Sequence, residues 1–494
     1  MSIARRILAR LHPSRYVRDG EYRDLQLQLV QRGIGGFCIM DGTLESVAET
    51  IAALRAEAHS PLLFAIDGET GLRMRIEDAA EFPHAWALGL QSPAVTEEVS
   101  AAIARSLRSL GIAWNFAPVA DVASNPHNPI IGIRAFGAQP ATVVEHVQAW
   151  IRAHQREKVA ACAKHFPGHG DATVDSHVEL PVINVPLEVL VERELVPFYA
   201  AIKEDIASIM VGHLAVPAMD ASGKAASLSP AIMRDFLRQR LGYGGIIVTD
   251  ALDMQPIRQR YSSGEAVVEA LAAGADVALL PADAHEALTI AEAAFRRGVL
   301  SQEEHHAAIA RLDRLAAMAQ ENVPVSVRQE ELANTALWAA QGAIRYGGNT
   351  AVLPLSQYAH IVVFALVQDG SPLDGPTEFL RYVAELYRGN MDAAFISPSV
   401  SAEEMAAFSD AIAEAECIVV AVFERPQAAR LPVPYPEHVV ATLAQRGTKP
   451  LVLVLAGSPW QDVGIAADTV LWTFSDSSPS CAAAAVALTK PPEW

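Results

Sequence analysis

Between Lys164 and His177 the chain reads KHFPGHGDATVDSH, a run that holds an ammonium, the imidazoles of His165, His169 and His177, and the carboxylates of Asp171 and Asp175. Three chemistries compete for it. A metal site has His165, His169, Asp171, Asp175 and His177 within reach. Their spacing, however, matches neither a helical His pair with a flanking Glu nor a Cys/His zinc pattern, so no metal is expected. A phosphate cradle fails because no Gly-Lys-Ser/Thr follows the glycines. The third reading rests on Asp175-Ser176-His177. An aspartate two residues before a histidine can accept from its ring N–H, fix the tautomer and raise the basicity of the other nitrogen. A purely structural loop, with histidines bonded to backbone, competes with all three, and for His169 it stands level with any function. The small residues Gly168, Gly170 and Ala172 are expected to let the loop move.

Two further constellations stand at the ends of apolar runs. In IIVTDALDM, residues 246–254, a strand stops at Asp250, which reads either as a reacting carboxylate or as the N-cap of a following helix. Asp253 reads as solvated or capping. In AIDGETGLRMR, residues 65–75, a strand stops at Asp67 and two arginines follow. A carboxylate and a guanidinium on a pocket floor suit vicinal hydroxyls, one accepting and the other donating, whereas the plain alternative is a surface turn with an ion pair. The same choice applies to Arg134 in IIGIRAFG.

The elements that must position these groups are short β-branched runs alternating with longer helical patterns, the signature of a parallel sheet wound with helices. Strands are expected over 36–40, 62–67, 112–118, 159–165, 208–212, 245–250 and 276–280, with helices over 96–110, 188–204 and 230–241. In a barrel of this kind the reacting groups follow the C-terminal ends of the strands. Those ends carry Asp67, Asp121, Lys164 with His165, His213 and Asp250. Seven strands are one short of a closed (β/α)8 barrel, so the first is missing, irregular or hidden in the N-terminal segment. Ser301 and Glu304 suggest a capping box opening a helix over 301–320. A linker over 321–329 follows, and the pattern then restarts with strands at 361–367, 393–396, 417–423, 451–456 and 469–474. The expected architecture is a TIM-like (β/α)8 barrel, residues 1–328, followed by a smaller α/β sheet domain, residues 329–494.

Composition agrees with two soluble cores. The 494 residues are 51% hydrophobic and 19% charged, and 38 Lys+Arg against 57 Asp+Glu leave a formal charge of −19. So acidic a surface repels phosphate backbones and anionic headgroups, so neither nucleic acid nor membrane is an expected partner. Cys38, Cys162, Cys417 and Cys481 are far apart and suggest neither disulfides nor a thiolate metal site. The basic N-terminal segment has no apolar h-region, so a signal peptide is not expected and the cytoplasm is the expected compartment.

Taken together, these segments resemble glycoside hydrolase family 3, in its β-N-acetylhexosaminidase branch. The loop KHFPGHGDATVDSH carries most of the resemblance. NFAPVADV (115–122), IGIRAFG (131–137), MVGHLAVPAMD (210–220) and IIVTDALDM support it, and AGSPW (456–460) with TFSDSSPSCAAAAVAL (473–488) is similar to the family's C-terminal α/β domain. The resemblance implies that Asp250 is the nucleophile of a covalent glycosyl-enzyme, His177 the general acid/base and Asp175 its orienting partner. It further implies that Asp67, Arg75, Arg134, Lys164 and His165 hold the sugar's hydroxyls and N-acetyl group. One departure stands out: Thr70 and Leu72 replace a glycine and an arginine of the family's pattern, which leaves Arg73 to take a related role.

The implied activity is a retaining exo-β-N-acetylglucosaminidase that removes terminal β-linked N-acetylglucosamine from cell-wall or chitin-derived saccharides, with no cofactor. Two alternatives remain. A neutral imidazole does not repel phosphate, so a phosphorylase is one; a catalytically inactive sugar-binding homologue is the other. Besides the saccharide, a second copy of the chain in a homodimer is the expected partner.

Overall fold

In the computed structural model the described residues are 2–173, 179–320, 326–369, 373–424, 437–460 and 463–490. The chain forms two compact units: Met1–Ala80 with Ser92–Leu332, and Glu81–Gln91 with Ala333–Trp494.

The first unit is built on eight strands: β1 (Ile7–Leu11), β2 (Gly36–Ile39), β3 (Leu63–Ile66), β4 (Trp114–Asn115), β5 (Ala160–Phe166), β6 (Ser208–Val211), β7 (Ile246–Thr249) and β8 (Ala278–Leu279). All pair in parallel, in the order β7-β6-β5-β4-β3-β2-β1-β8. A bridge between Val248 and Val277 joins the two ends of the sheet. At that seam the Thr249 hydroxyl replaces a backbone acceptor and takes the Leu279 N–H at 3.0 Å. The expected barrel is therefore present.

The strand missing from the sequence reading is β1, ILARL. Its neighbours disguise it: Ile3, Ile7, Leu8 and Leu11 recur at helical spacing among arginines, yet all four are buried. The arginines are spent on partners inside the fold. Arg6 donates to the carbonyls of Ala275 and Asp276, and Arg10 pairs with Asp253, which stays partly exposed and does not cap the next helix.

Side chains of all eight barrel strands, among them Leu8, Cys38, Ala65, Trp114, Cys162, Met210, Val248 and Leu279, join one buried cluster with Leu312 and Leu315 of the helix Gln302–Gln320. Ser301 accepts from the N–H of Glu304 at 3.3 Å, while the Glu304 carboxylate reaches Arg234 at 2.9 Å. The stretch 230–241 is helical as expected, but Ala231–Arg240 is wound with π geometry.

The second unit carries a six-stranded sheet of β9 (Arg345–Gly348), β10 (His360–Leu366), β11 (Asn390–Ile396), β12 (Cys417–Glu424), β13 (Leu451–Gly457) and β14 (Thr469–Trp472). Its order is β11-β10-β12-β13-β14-β9, parallel except for β9. The glycine-ended β9 was not foreseen. Phe379, Val383 and Cys481 pack on one face of this sheet, and Phe408, Ile412 and Val439 on the other. Residues Glu81–Gln91 belong to this unit: Glu81 accepts from the Ser478 N–H at 2.7 Å, and Trp86 lies edge-on to Trp460. All four cysteines are buried free thiols.

Asp276, just before β8, ties the barrel's last turn together. Its carboxylate accepts from Arg238 at 2.6 Å, from Arg311 at 2.9 Å and from the Ile247 N–H at 2.8 Å. Removing one partner of a buried pair leaves uncompensated charge. Asp276→Ala should therefore lower the unfolding free energy by about 3–5 kcal/mol, read from the denaturant midpoint. A midpoint unchanged from wild type would show that the two guanidiniums need no carboxylate there.

Candidate active site

The polar residues at the strand ends form one connected ionic group. Asp67 follows β3 and accepts from Lys164 and from Arg75, each at 3.0 Å. Lys164 also reaches Glu69 at 2.7 Å, and Glu69 takes Arg134 in a two-point contact at 2.8 and 2.9 Å. The Lys164 side chain is 3% exposed, so its charge is tolerable only because two carboxylates share it. Burial alone would raise both acids. Lys164 and Arg75 outweigh it and hold Asp67 down at about 2, and Arg134 and Lys164 hold Glu69 well below the usual range. Both stay ionised at any working pH.

Lys164 and His165 are consecutive in β5, and in a regular strand their side chains would point to opposite faces. The pairing of β5 with β6 shifts register between Ala163 and Phe166, and a bulge of this kind re-aims side chains. His165 presents Nδ1 to Asp121 at 2.7 Å, leaving Nε2 as the nitrogen that can meet a ligand. Asp121 also accepts the backbone N–H of His165 at 3.2 Å and of His169 at 2.7 Å. Burial would raise this carboxyl, but the nearby His165 lowers it.

A second line of contacts fixes the turn after β3. Asn115 at the end of β4 accepts the Gly68 N–H at 2.9 Å and donates to the Gly68 carbonyl at 3.2 Å. Its amide also donates to His154 Nε2 at 3.0 Å. His154 Nδ1 meets Ser100 Oγ at 2.6 Å, and that hydroxyl spends its proton on the Trp150 carbonyl. Nδ1 must then carry the ring proton, and Nε2 can accept only if the ring is neutral. Burial enforces this by pushing His154 down to about 3.

Asp250 stands at the end of β7, two strands from β5 in the sheet. Its backbone N–H donates to Val211 at 2.9 Å, and its Oδ1 accepts from the Ala251 N–H at 2.8 Å. It is not a helix cap, because the next helix, Gln255–Arg258, has Met254 in that position. His213, after β6, donates from Nε2 to the Ala251 carbonyl at 2.8 Å and meets Ser227 through Nδ1 at 2.6 Å, bracing the turn that holds Asp250.

The small residues of the loop do not loosen its first half, contrary to expectation. A Cβ on Gly170 would sit 1.6 Å from the Val122 carbonyl oxygen, and one on Gly168 would sit 2.7 Å from Glu194 Cβ. Ala172 is fully buried. Asn128 donates to the carbonyls of His169 and Gly170 at 2.8 and 3.1 Å, and Arg193 pairs with Asp171 at 2.9 Å. The glycines permit close packing. Asp175 and His177 lie outside the described residues.

Asp67, Arg75, Lys164 and Arg134 are thus brought into one group, with His165 held by Asp121. The sequence reading gave no role to Glu69, Asn115 or His154, and named Asp121 and His213 only as strand-end residues. Glu69, two residues after Asp67 and six before Arg75, was the available signal. Arg73 is exposed, so it does not join the buried group. Among the described residues no cluster of His, Cys, Asp and Glu is arranged to hold a metal, and no helix is long and apolar enough to cross a membrane.

A parallel eight-stranded barrel with charged groups gathered after the C-terminal ends of its strands is the arrangement of a barrel enzyme. Within that class the chain belongs to glycosyl hydrolase family 3: the pattern of the family's N-terminal domain matches residues 20–315. It is 31% identical over 443 residues to beta-hexosaminidase A of Pseudoalteromonas piscicida, covering 81% of this chain and 73% of that one. It is 29% identical to a beta-N-acetylglucosaminidase/beta-glucosidase of Cellulomonas fimi, covering 82% and 76%. Among solved structures, the family 3 beta-N-acetylglucosaminidase of Paenibacillus sp. str. FPU-7 superposes with a TM-score of 0.85 at 26% identity, over 99% of this chain and 97% of that one. The protein is a glycosidase of the hexosaminidase type.

The neutral state of His154 has a measurable sign. Its folded pKa of about 3 lies below the unfolded value. Its contribution to stability is therefore complete above the unfolded value of about 6.5 and is lost as pH falls toward 3. His154→Gln should flatten the fall in unfolding free energy between pH 6.5 and 4 by about 1.4 kcal/mol per pH unit, whatever its effect at pH 7. Parallel pH profiles for variant and wild type would show that the ring protonates in the folded state.

Proposed function

We propose that the protein is a retaining exo-β-N-acetylglucosaminidase that releases terminal, non-reducing β-linked N-acetylglucosamine from cell-wall or chitin-derived saccharides. The observation that carries this reading is the ionic group of half-buried Asp67, Arg75 and Arg134 around the buried Lys164, with His165 beside it, at the barrel end where β7 presents Asp250. Relatives named hexosaminidases and N-acetylglucosaminidases support the choice of sugar.

In the proposed reaction Asp67 accepts from sugar hydroxyls, while Arg75, Lys164 and Arg134 donate and His165 offers Nε2 to the hydroxyls or the N-acetyl group. A carboxylate oxygen of Asp250 bonds to the anomeric carbon as the bond to the aglycone oxygen breaks. Imidazolium His177 gives that oxygen its proton, with Asp175 stabilising the cation. Neutral His177 then takes a proton from water, whose oxygen displaces Asp250. Two displacements at one carbon retain configuration. Imidazole suits both proton transfers because both of its forms are accessible near neutral pH. No cofactor takes part, the saccharide is the partner, and a homodimer in the cytoplasm is the proposed state.

Asp250→Asn should lower kcat by about three orders of magnitude with the fold intact. Near-wild-type turnover in that variant would remove Asp250 as nucleophile. Wild type should cleave an aryl β-N-acetylglucosaminide far faster than the aryl β-glucoside, and the first-formed sugar should be the β-anomer by NMR. Equal rates, or an α-anomer, would overturn the assignment. Sugar 1-phosphate formed in phosphate buffer would instead identify a phosphorylase.

A further inference from the structure

Glu194 is a buried carboxyl for which the proposed reaction has no use. It ends the π-wound turn Leu190–Glu194 and is 0% exposed. Its Oε1 accepts from Ser124 at 3.1 Å and from Arg193 at 2.6 Å, while Oε2 has no partner among the described residues. The side chain is wedged against the loop, since a Cβ on Gly168 would meet both its Cβ and its Oε2. Arg193 spans from this carboxyl to Asp171, three residues further along the same loop. Asp121 and Asn128 hold His169 and Gly170. The loop's first half is thus held by contacts to Asp121, Asn128, Arg193 and Glu194, and Glu194 packs directly on Gly168.

We propose that Glu194 is a positioning residue for proton transfer: through Gly168 and the Arg193–Asp171 pair it fixes the stretch 168–171 from which the chain runs on to Asp175 and His177. The proposal rests on the reading of His177 as the acid/base. The charges facing Glu194 are Arg193, which it bonds, Asp171 beyond it, and Asp121. Burial raises the carboxyl to about 7, against the pull of Arg193. In its neutral form it leaves Arg193 and Asp171 as a balanced pair. Once ionised, it becomes a second carboxylate drawing on the same guanidinium, and the hold on Asp171 weakens.

The test is leaving-group dependence of kcat/KM. A general acid matters for a poor leaving group and little for one that departs unprotonated. Glu194→Ala should lower kcat/KM for an alkyl or phenyl β-N-acetylglucosaminide at least about tenfold more than for the dinitrophenyl glycoside, a fraction of the 10²–10⁴ a general acid supplies. His177→Ala should show the same selectivity, and combining the two should add none. Glu194→Gln, which keeps the shape without the charge, should match wild type near pH 6 and exceed it on the poor substrate above pH 7. An equal loss on both substrates, no loss on either, or a Gln variant whose pH profile overlies wild type would overturn the role. A non-selective His177→Ala would instead sink the acid/base reading, and this proposal with it.

Discussion

The site hangs on one buried ammonium. Lys164 is almost wholly out of water, and a charge so placed is stable only among partners that balance it. Asp67 and Glu69 do so, and each is held in turn by an arginine, Arg75 and Arg134. Because every member answers another, none can be displaced without leaving charge uncompensated. A group of this kind is pre-organised: its donors and acceptors are aimed before any ligand arrives, so less is spent on ordering them when one does.

Neutral polar contacts carry that order outward. Asn115 grips both the N–H and the carbonyl of Gly68, which fixes the backbone between the two residues that carry the carboxylates. Gly68 leaves little room for a substitute, since a Cβ there would stand 3.0 Å from Asn115 Oδ1. His154 and Ser100 hold Asn115, Asp121 holds His165 and the loop, and His213 holds the turn after Asp250. Each brace is a buried side chain bonded to backbone or to one side chain of the site. Their burial keeps water from competing for those bonds.

Most of the fold was legible because strands and helices here follow simple periods. What escaped did so for physical reasons. Strand β1 carries Arg10 and follows directly on Arg6, and their partners lie some 250 residues away in sequence, Asp253 for Arg10 and the carbonyls before β8 for Arg6, which no local pattern reveals. Asp250, Asp67 and Lys164 were visible because they end apolar runs. Glu69 was overlooked because an acid in a turn reads as solvated until its partners are known, and Asp121, though named at a strand end, was given no role because its partners His165 and His169 are not visible in the pattern. Gly168 and Gly170 were misread for a related reason. Glycine can signal freedom or crowding, and only the positions of Val122 and Glu194 show that here it is crowding.

The same electrostatics restrict which groups can move a proton. Asp67 at about 2, Glu69 well below its usual range and Asp121 lowered beside His165 are conjugate bases too weak to carry a proton near neutrality. The rings of His154 and His169 are pushed the other way, to about 3 and about 4, so they remain neutral. Glu194 has a suitable value, about 7, but no exposed surface through which to meet a substrate. The ionic group around Lys164 is for that reason unfit for acid–base work. In the proposed reaction the proton transfers are assigned to His177 instead.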